Sequence, residues 1–325
     1  MCSSQTPYDV VPACADMSGE FERIDSITAH FTQHRGVLLG PGDDAAVLAT
    51  PDARVAASTD MLVEDVHFKT AWTTAHDLGR RVAAQNFADI AAMGAVPTAL
   101  LVAVGAPPTL SDTWFDEVSL GLETECALVG ASVIGGDLAK SDRIVIAATV
   151  LGDLQGRDPV TRSGARDGDV VALAGRLGWS VAGWLSLERN VEIHDDVVAA
   201  YRAPAPPYAA GVTAAVAGAT SMIDVSDGLI ADAGHIADAS DVTIDIDASL
   251  LPVDDLLRDA AAALDVDLID LLLTSGEDHP LLATFPEGVA APSGFRVIGR
   301  VSARGTAGVL VNGQPHTGRG GWTHF

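Results

Sequence analysis

The stretch MIDVSDGLIADAGHIADASDVTIDI, residues 222–246, decides the fold class. Its apolar start at 222–223 predicts the end of a strand, and the Ser-Asp-Gly turn at 226–228 is typical of a helix start. A helix is predicted over Leu229–Ala239 and a second strand over Val242–Ile246. A strand, a helix and a strand in succession indicate an α/β or α+β fold.

The same alternation of short β-branched runs and longer alanine-rich patterns continues along the chain. Further strands are predicted at Arg54–Ser58, Thr98–Val104, Ile144–Leu151, Val170–Ala174 and Arg296–Val301. Further helices are predicted at His76–Met93, Ser111–Gly130, Trp179–Glu188, Gly211–Ala217 and Val253–Leu264.

Length and composition favour two domains, because 325 residues exceed the usual size of a single core. The segment 152–169 is rich in Gly, Asp, Arg and Pro, which is typical of a boundary. We predict a flexible N-terminal extension over residues 1–18, an N-terminal domain over 19–155 and a C-terminal α/β domain over 156–325.

The net charge of the chain limits the kinds of ligand that it can bind. The chain carries 44 acidic and 19 basic residues, for a formal net charge of -25. Binding of nucleic acid or of an anionic membrane by basic patches is therefore disfavoured, whereas an anionic ligand could bind through divalent cations. No apolar run reaches the roughly 18 residues of a membrane span, and the three cysteines are widely spaced. A cytoplasmic location is predicted.

Aspartates in five segments share one pattern, in which an apolar strand or helix brings the carboxylate, often beside glycine, to a point where the backbone turns. Magnesium prefers oxygen ligands and takes few carboxylates, completing its shell with water and phosphate oxygens. Several such aspartates on separate loops could hold several ions against one triphosphate. The pattern comprises Asp43 with Asp44, Asp60, Asp89, Asp137, and Asp224 with Asp227.

Each aspartate taken alone also has a simpler interpretation. Asp89 has no cation one helical turn away, so it is either a metal ligand or part of a solvated stripe beside Gln85. Asp43 and Asp44 could be turn or helix-capping residues. The chain has no GxxxxGK[ST], GxSxG, HExxH or CxxC motif, so P-loop kinases are excluded and hydrolase, zinc and redox classes lose their usual support.

Nine short motifs occur in a fixed order between residue 19 and the end of the chain. They are GEF (19–21), GDDAA (42–46), STD (58–60) with VHF (66–68), DIAAMGAVP (89–97), IGGD (134–137), TRSGA (161–165), IDVSDGL (223–229), SGED (275–278) and GWTHF (321–325). In these motifs the chain resembles the thiamine-monophosphate kinases, a branch of the superfamily that includes aminoimidazole ribonucleotide synthetase and selenophosphate synthetase.

The resemblance implies a kinase that converts thiamine monophosphate to thiamine diphosphate with ATP, by direct in-line transfer. It also implies a two-domain aminoimidazole ribonucleotide synthetase-like fold, with an N-terminal sheet domain that forms a homodimer and an active site between the domains. The positions that match family Mg²⁺ ligands are Asp44, Ser58, Thr59, Asp60, Asp89, Asp137, Asp224 and Asp227. The positions that match ATP contacts are Gly136, Asp137, Arg162 and Ser226, and those that match acceptor contacts are His67, Glu277 and Trp322.

These implied roles are chemically consistent. The acceptor phosphate has a second pKa of about 6, so it is largely ionised near neutral pH and needs no strong general base. Glu277 could balance the cationic thiazolium, and Trp322 could stack on a flat ring or serve as a C-terminal apolar anchor. From spacing alone, His67 could be a partly buried strand histidine and Arg162 a loop arginine.

The chain departs from the family pattern at four positions. His279 and Pro280 follow Gly-Glu-Asp where the family has an aromatic residue and a glutamate. Pro207 replaces an arginine, and Asp65 replaces a glycine before Val-His. These changes bear on acceptor contacts more than on the metal ligands.

Two other classes of function stay open. A sister enzyme of the superfamily would share the ATP and metal site, although Cys14 lies in no glycine-rich loop of the kind expected in a selenophosphate synthetase. A non-catalytic protein that binds cations or a metabolite is the second class, although no contiguous calcium loop is present.

Overall fold

Two β-sheets lie on either side of one long buried helix. The computed structural model describes residues 17–41, 45–316 and 321 of the chain. The N-terminal sheet is built from four strands and the C-terminal sheet from seven. The helix between them contacts the inner face of each sheet, and this position brings side chains from both halves together.

The N-terminal half begins with a helix and a two-stranded ribbon that precede the four-stranded sheet. In chain order its elements are α1 (Met17–Ala29), β1 (Val37–Leu39), β2 (Val47–Leu48), β3 (Ala56–Val63), α2 (Ala75–Ala92), β4 (Val96–Ala106), α3 (Asp112–Val129), β5 (Ser132–Lys140) and β6 (Val145–Asp153). The sheet has the order β3-β6-β4-β5, with β4 and β5 parallel and the other pairs antiparallel.

The central helix α2 is fixed at its start and packed closely along its length. Thr74 caps it by accepting a hydrogen bond from the Asp77 backbone N–H at 3.1 Å. Two glycines allow the backbones of α2 and α3 to touch, because a Cβ on Gly79 or on Gly121 would lie 2.0 Å from a carbonyl oxygen of the other helix. The helix is therefore held firmly against α3 and the sheet.

One face of the four-stranded sheet is covered by α2 and α3, and we call the opposite face the open face. Along β3, Leu62 packs in the core whereas Met61 is 53% exposed, as the two-residue alternation of a strand requires. A bulge in β5 at Ile134 shifts its register against β4, so that Gly135 faces Leu101 and Asp137 is paired with Ala103. Asp137 consequently lies on the open face.

The C-terminal half contains a seven-stranded, mostly antiparallel sheet. Its strands are β7 (Val170–Ala174), β8 (Ser221–Asp224), β9 (Val242–Ile246), β10 (Leu281–Phe285), β11 (Arg296–Ala303), β12 (Val309–Val311) and β13 (Gln314–Pro315), in the order β13-β12-β9-β11-β7-β10-β8. Its helices are α4 (Trp179–Arg189), α5 (Asp195–Arg202), α6 (Tyr208–Val216), α7 (Leu229–Ser240), α8 (Asp255–Leu264) and α9 (Leu268–Thr274), with a 3₁₀ turn at Ala248–Leu250.

Helices cover both faces of this sheet. Residues of α4, α7, α8 and α9 form the larger core on one face, whereas α2 and α6 pack on the other. Gly211 of α6 lies against the backbone of α2, since a Cβ there would stand 2.0 Å from the Ala91 carbonyl oxygen. The two halves are thus joined through α2.

The predicted mixture of helices and strands is confirmed, and the strands at 170–174 and 242–246 have the predicted bounds. The strand predicted at Arg54–Ser58 begins two residues later and runs on to Val63. Of the predicted extension, residues 1–16 lie outside the described residues, and α1 begins at Met17. The domain limits stay a prediction. No helix in the described part of the chain is long and apolar enough to cross a membrane.

Candidate active site

Strand β3 and helix α2 bring three oxygen-bearing side chains together. Ser58 and Asp60 are two residues apart on the inner face of β3, and Asp89 faces them from α2. The Ser58 hydroxyl donates a hydrogen bond to Asp89 Oδ2 at 2.6 Å. Asp89 therefore belongs to this group, and the solvated-stripe interpretation of it is wrong.

The C-terminal half adds a third carboxylate and an imidazole. Asp224 is the last residue of β8, as predicted for a strand end, and only 5% of it is exposed. His279 Nδ1 lies 3.0 Å from Asp224 Oδ2. We call Ser58, Asp60, Asp89, Asp224 and His279 the carboxylate cluster.

The charges of the carboxylate cluster act on one another. Burial raises the pKa of Asp89 to about 7, and the Asp224 charge adds to this rise. Burial likewise raises the pKa of Asp60, with a further rise from Asp224 against the opposing charge of His279. Burial lowers the pKa of His279, but the hydrogen bond and charge of Asp224 outweigh it and raise the value to about 9.

The cluster has the chemistry that a hard divalent cation requires. Three carboxylates and a hydroxyl offer oxygen donors, and the single imidazole does not balance three negative charges. The raised pKa values of Asp60 and Asp89 show that the ionised carboxylates are poorly compensated by the protein itself. A bound cation would supply the missing charge, so these residues fit magnesium.

A pocket of about 360 Å³ lies beside the carboxylate cluster, since its lining includes Ser226 and Glu277, each two residues from a member of the cluster. Its walls include the aromatic side chains of Trp72, Trp184 and Tyr201, and this volume is at the small end of the range for small-molecule sites. Three of the predicted site residues, His67, Ser226 and Glu277, also line this pocket. We call it the aromatic pocket.

An ion pair forms part of the pocket wall and was not predicted. Arg81 Nη2 lies 2.6 Å from Glu277 Oε2, and Arg81 Nη1 donates to the Tyr201 carbonyl at 3.0 Å. Although burial acts in the opposite direction, the Arg81 charge lowers the pKa of Glu277. Arg81 stands two helical turns before Asp89 on one face of α2, and this spacing was the available signal.

Asp227 lies in a separate group beside the cluster. One ligand atom each of Asp227, Asp232 and His235 lies within 4.8 Å of the others. Asp232 accepts the backbone N–H groups of Asp227 and Gly228 at 3.0 and 3.1 Å, and so caps the start of α7 from within the helix. The predicted helix start at residues 226–228 is confirmed.

The fold keeps two predicted metal ligands away from the carboxylate cluster. Thr59 points to the open face, where its hydroxyl donates to the Ala148 carbonyl at 2.9 Å. Asp137 lies on the open face of β5, the opposite edge strand from β3. The prediction that each aspartate lies at a backbone turn is wrong for Asp60 and Asp137, which lie inside strands, and for Asp89, which lies inside α2.

Comparison with known proteins identifies the family of this chain. The model of the AIR synthase related protein N-terminal domain matches residues 42–154, and that of the C-terminal domain matches residues 166–312. The thiamine-monophosphate kinase of Mycobacterium tuberculosis is 46% identical over 94% of this chain and 92% of its own length. The chain belongs to the thiamine-monophosphate kinase family.

Other members of the family are also similar over nearly the whole length of this chain. The thiamine-monophosphate kinase of Corynebacterium glutamicum is 40% identical over 97% of this chain and 95% of its own length. The solved structure of AaThiL complexed with AMPPCP and TMP is 28% identical and has a TM-score of 0.79, covering 95% of this chain and 97% of that chain. The predicted two-domain fold of this family is therefore confirmed.

The remaining described positions matched to the thiamine-monophosphate kinase family lie on separate parts of the chain. His67 lies in a turn after β3, where its Nδ1 accepts the Val63 N–H at 2.9 Å, so it is not a strand histidine. Only glycine fits at position 136, because a Cβ on Gly136 would lie 2.0 Å from the Val102 carbonyl oxygen. Arg162 is exposed and lies beside the start of β8. Asp44 and Trp322 lie outside the described residues.

Proposed function

We propose that this protein transfers the γ-phosphoryl group of ATP to thiamine monophosphate and forms thiamine diphosphate, by direct in-line transfer. The observation that carries the proposal is the position of the carboxylate cluster beside a pocket with aromatic walls, in which Ser226 and Glu277 link the two. The pairing suits an acceptor with a phosphate at one end and flat rings at the other. The AMPPCP and TMP in the related AaThiL structure support the same assignment.

The aromatic pocket would hold the organic part of the acceptor. Trp72, Trp184 and Tyr201 offer ring faces, and Glu277 offers a carboxylate to a cationic ring. Because Arg81 already pairs with Glu277, the glutamate would position the ring and not act as an isolated counter-charge. The acceptor phosphate would then lie toward Asp60, Asp89 and Asp224, already ionised and in no need of a general base.

Several magnesium ions are part of the proposal. Bound magnesium would neutralise the charge that develops on the transferred phosphoryl group. The proposed ligands are Asp44, Ser58, Thr59, Asp60, Asp89, Asp137, Asp224 and Asp227. The proposed ATP contacts are Gly136, Asp137, Arg162 and Ser226, and the proposed acceptor contacts are His67, Glu277 and Trp322.

A homodimer through the open face is the quaternary structure we propose. Met61 and Leu101 are 53% and 39% exposed on that face, which is an uncommon arrangement for two large apolar side chains on one sheet. Asp137 lies on the same face, roughly 14 Å from β3 across three strand spacings. A second subunit docked on the open face would therefore lie next to Asp137.

The proposed domain limits are 19–155 and 156–325, and the proposed location is the cytoplasm. The separate sheets support the limits, because their strands lie within 56–153 and 170–315. Cys126 is a buried free thiol, which is usual for a protein in a reducing compartment.

The function is tested by following ADP release with ATP and each of three acceptors: thiamine monophosphate, thiamine and an aminoimidazole ribonucleotide precursor. Activity is expected only with thiamine monophosphate and only when a divalent cation is present, so excess EDTA should abolish it. A comparable rate with unphosphorylated thiamine would overturn the acceptor assignment. A full rate in EDTA would overturn the metal requirement.

The dimer is tested separately by light scattering on the double variant Met61→Glu with Leu101→Glu. Charges on the open face should convert a dimer to a monomer, whereas Val216→Glu, at an exposed apolar residue away from that face, should leave the mass unchanged. A monomeric wild-type protein with full activity would contradict the proposed assembly.

A further inference from the structure

The loop 275–280, which joins α9 to β10, is held in an unusual backbone conformation. Glu277 and His279 both have left-handed φ angles, of 67° and 52°. Non-glycine residues adopt this region rarely, and such positions persist only where the surroundings fix them. Both of these positions lie in the segment that faces Asp224.

Backbone contacts fix this loop against the residues that follow β8. The N–H of Glu277 donates to the Ser226 carbonyl at 2.9 Å, and the N–H of His279 donates to the Val225 carbonyl at 3.2 Å. Gly276 allows the close approach, because a Cβ there would lie 2.0 Å from the Ser226 carbonyl oxygen. These contacts hold the loop whatever side chain stands at position 279.

The His279 side chain therefore makes a contact of its own. Its Nδ1 lies 3.0 Å from Asp224 Oδ2, and the two side chains are 6% and 7% exposed. An ionised carboxylate can only accept, so Nδ1–H is the donor. Among the described residues no other side chain is hydrogen-bonded to the Asp224 carboxylate.

We infer that His279 is a positioning residue, which orients the Asp224 carboxylate so that Asp224, Asp60 and Asp89 can bind one divalent cation. The inference rests on the metal-dependent function proposed above. Carboxylates that bind a metal are commonly held by a hydrogen bond from a second residue, and loss of that residue lowers metal affinity by about 10- to 100-fold. Without His279 the Asp224 side chain would have to be ordered when the metal binds.

The alternative is that His279 only completes the packing of the loop, and the two roles predict different results. A packing role predicts that substitution lowers stability and leaves metal affinity alone. A purely electrostatic role predicts that removal of an imidazole raises the affinity for a cation. Only the positioning role predicts a fall in affinity that returns when a donor is restored.

The test compares two variants with the wild-type full-length protein. His279→Phe keeps a planar ring and removes the donor. His279→Asn is the matched control, because its amide nitrogen occupies nearly the place of Nδ1 and asparagine tolerates a left-handed backbone. Binding of Mn²⁺ to the nucleotide-free protein is measured by electron paramagnetic resonance, and the unfolding midpoint without metal is recorded for each.

The His279→Phe variant should bind Mn²⁺ about 10- to 100-fold more weakly than wild type, and His279→Asn within about threefold of it. If His279→Phe does not fold, the smaller His279→Leu replaces it with the same expectation. Equal affinities in wild type and the donor-free variant would overturn this inference and leave the proposed function intact. A wild-type protein that binds no Mn²⁺ would overturn both.

Discussion

The carboxylate cluster and the wall of the aromatic pocket adjoin each other but differ in how their buried charges are balanced. In the cluster, Asp60, Asp89 and Asp224 share one imidazole, and the pKa values of Asp60 and Asp89 are raised. In the wall, Arg81 and Glu277 form a one-to-one ion pair at 2.6 Å, and the pKa of Glu277 is lowered.

The cluster therefore has negative charge that the protein does not balance, whereas the charges in the wall balance each other without a ligand. The uncompensated charge of the cluster should destabilise the metal-free folded protein, as is common where function requires unfavourable charge. The ion pair in the wall stabilises the folded protein and holds the pocket in shape without a ligand. Substitutions in the cluster should therefore remove activity and spare stability, whereas substitutions in the wall should reduce both.

Asp89→Asn is expected to have the largest effect. Turnover should fall more than about 100-fold, as when a group that stabilises developing charge is removed. The free energy of unfolding without metal at pH 8 should be unchanged or higher by about 1–3 kcal/mol, because a raised pKa means that the ionised side chain is unfavourable. Steady-state rates and urea unfolding measure the two effects.

The control for this variant is Asp259→Asn, an exposed aspartate on α8 that should change neither quantity. A loss of more than about 2 kcal/mol of stability in Asp89→Asn would show that the carboxylate is structural, and the contrast between the two regions would fail.

The role of Asp89 could be predicted from the sequence only in part. An aspartate without a cation one turn away suggested a ligand, but the contact that joins Asp89 to the cluster is made with Ser58, 31 residues earlier on another element. Likewise, Arg81 and Glu277 are 196 residues apart, so the ion pair depends on how the two halves pack. Local periodicity predicts elements and not such distant contacts.

Local sequence patterns also failed at Asp137, which was predicted to lie at a strand end. Gly-Gly-Asp predicted a strand end, yet the residues continue through β5, and the bulge at Ile134 decides which face Asp137 occupies. A bulge changes the facing of every later side chain in a strand, and no composition signal announces it. By contrast, the apolar run before Asp224 and the turn after it predicted β8 and α7 correctly.

Glu277→Gln should have the next largest effect, this time on stability. The substitution leaves Arg81, whose side chain is 3% exposed, without a balancing charge, and because Glu277 is itself 41% exposed the expected loss is about 2 kcal/mol, less than for a fully buried pair. The KM for thiamine monophosphate should rise as well, because the glutamate lines the aromatic pocket. Glu287→Gln, in an exposed turn, is the control. An unchanged unfolding midpoint would show that the ion pair does not stabilise the wall.

The dependence of stability on pH should show, by the sign of its slope, whether buried carboxylates such as Asp89 lack a compensating charge. Burial raises the pKa values of Asp89, Asp232 and Asp278 to about 7, so the folded protein binds more protons than the unfolded chain between about pH 4 and pH 7. The free energy of unfolding without metal should therefore fall as the pH rises from about 4 to 7. The raised pKa of His279 should extend this fall to about pH 9.

The total fall is expected to be about 2 kcal/mol or more by urea unfolding at a series of pH values, and Asp89→Asn should reduce the slope. Saturating Mg²⁺ should restore stability above pH 7, where the cluster is ionised. A profile in the metal-free protein that rises from pH 4 to pH 7 would mean that the carboxylates are already compensated, and the cluster would then resemble the wall.

Tyr208→Phe should have the smallest effect, because it removes one hydrogen bond to the Arg80–Glu125 ion pair, which lies outside the active site. Glu125 of α3 is fully buried, pairs with Arg80 at 3.0 Å and accepts the Tyr208 hydroxyl at 2.6 Å. Loss of the hydroxyl leaves one carboxylate oxygen without its donor, so the free energy of unfolding should fall by about 1–2 kcal/mol. None of these residues lines the aromatic pocket, so kcat and KM should stay within about twofold of wild type. A fall in kcat of more than tenfold would instead show that this contact between α3 and α6 sets the position of α2, and that the balance of charge within the cluster depends on it.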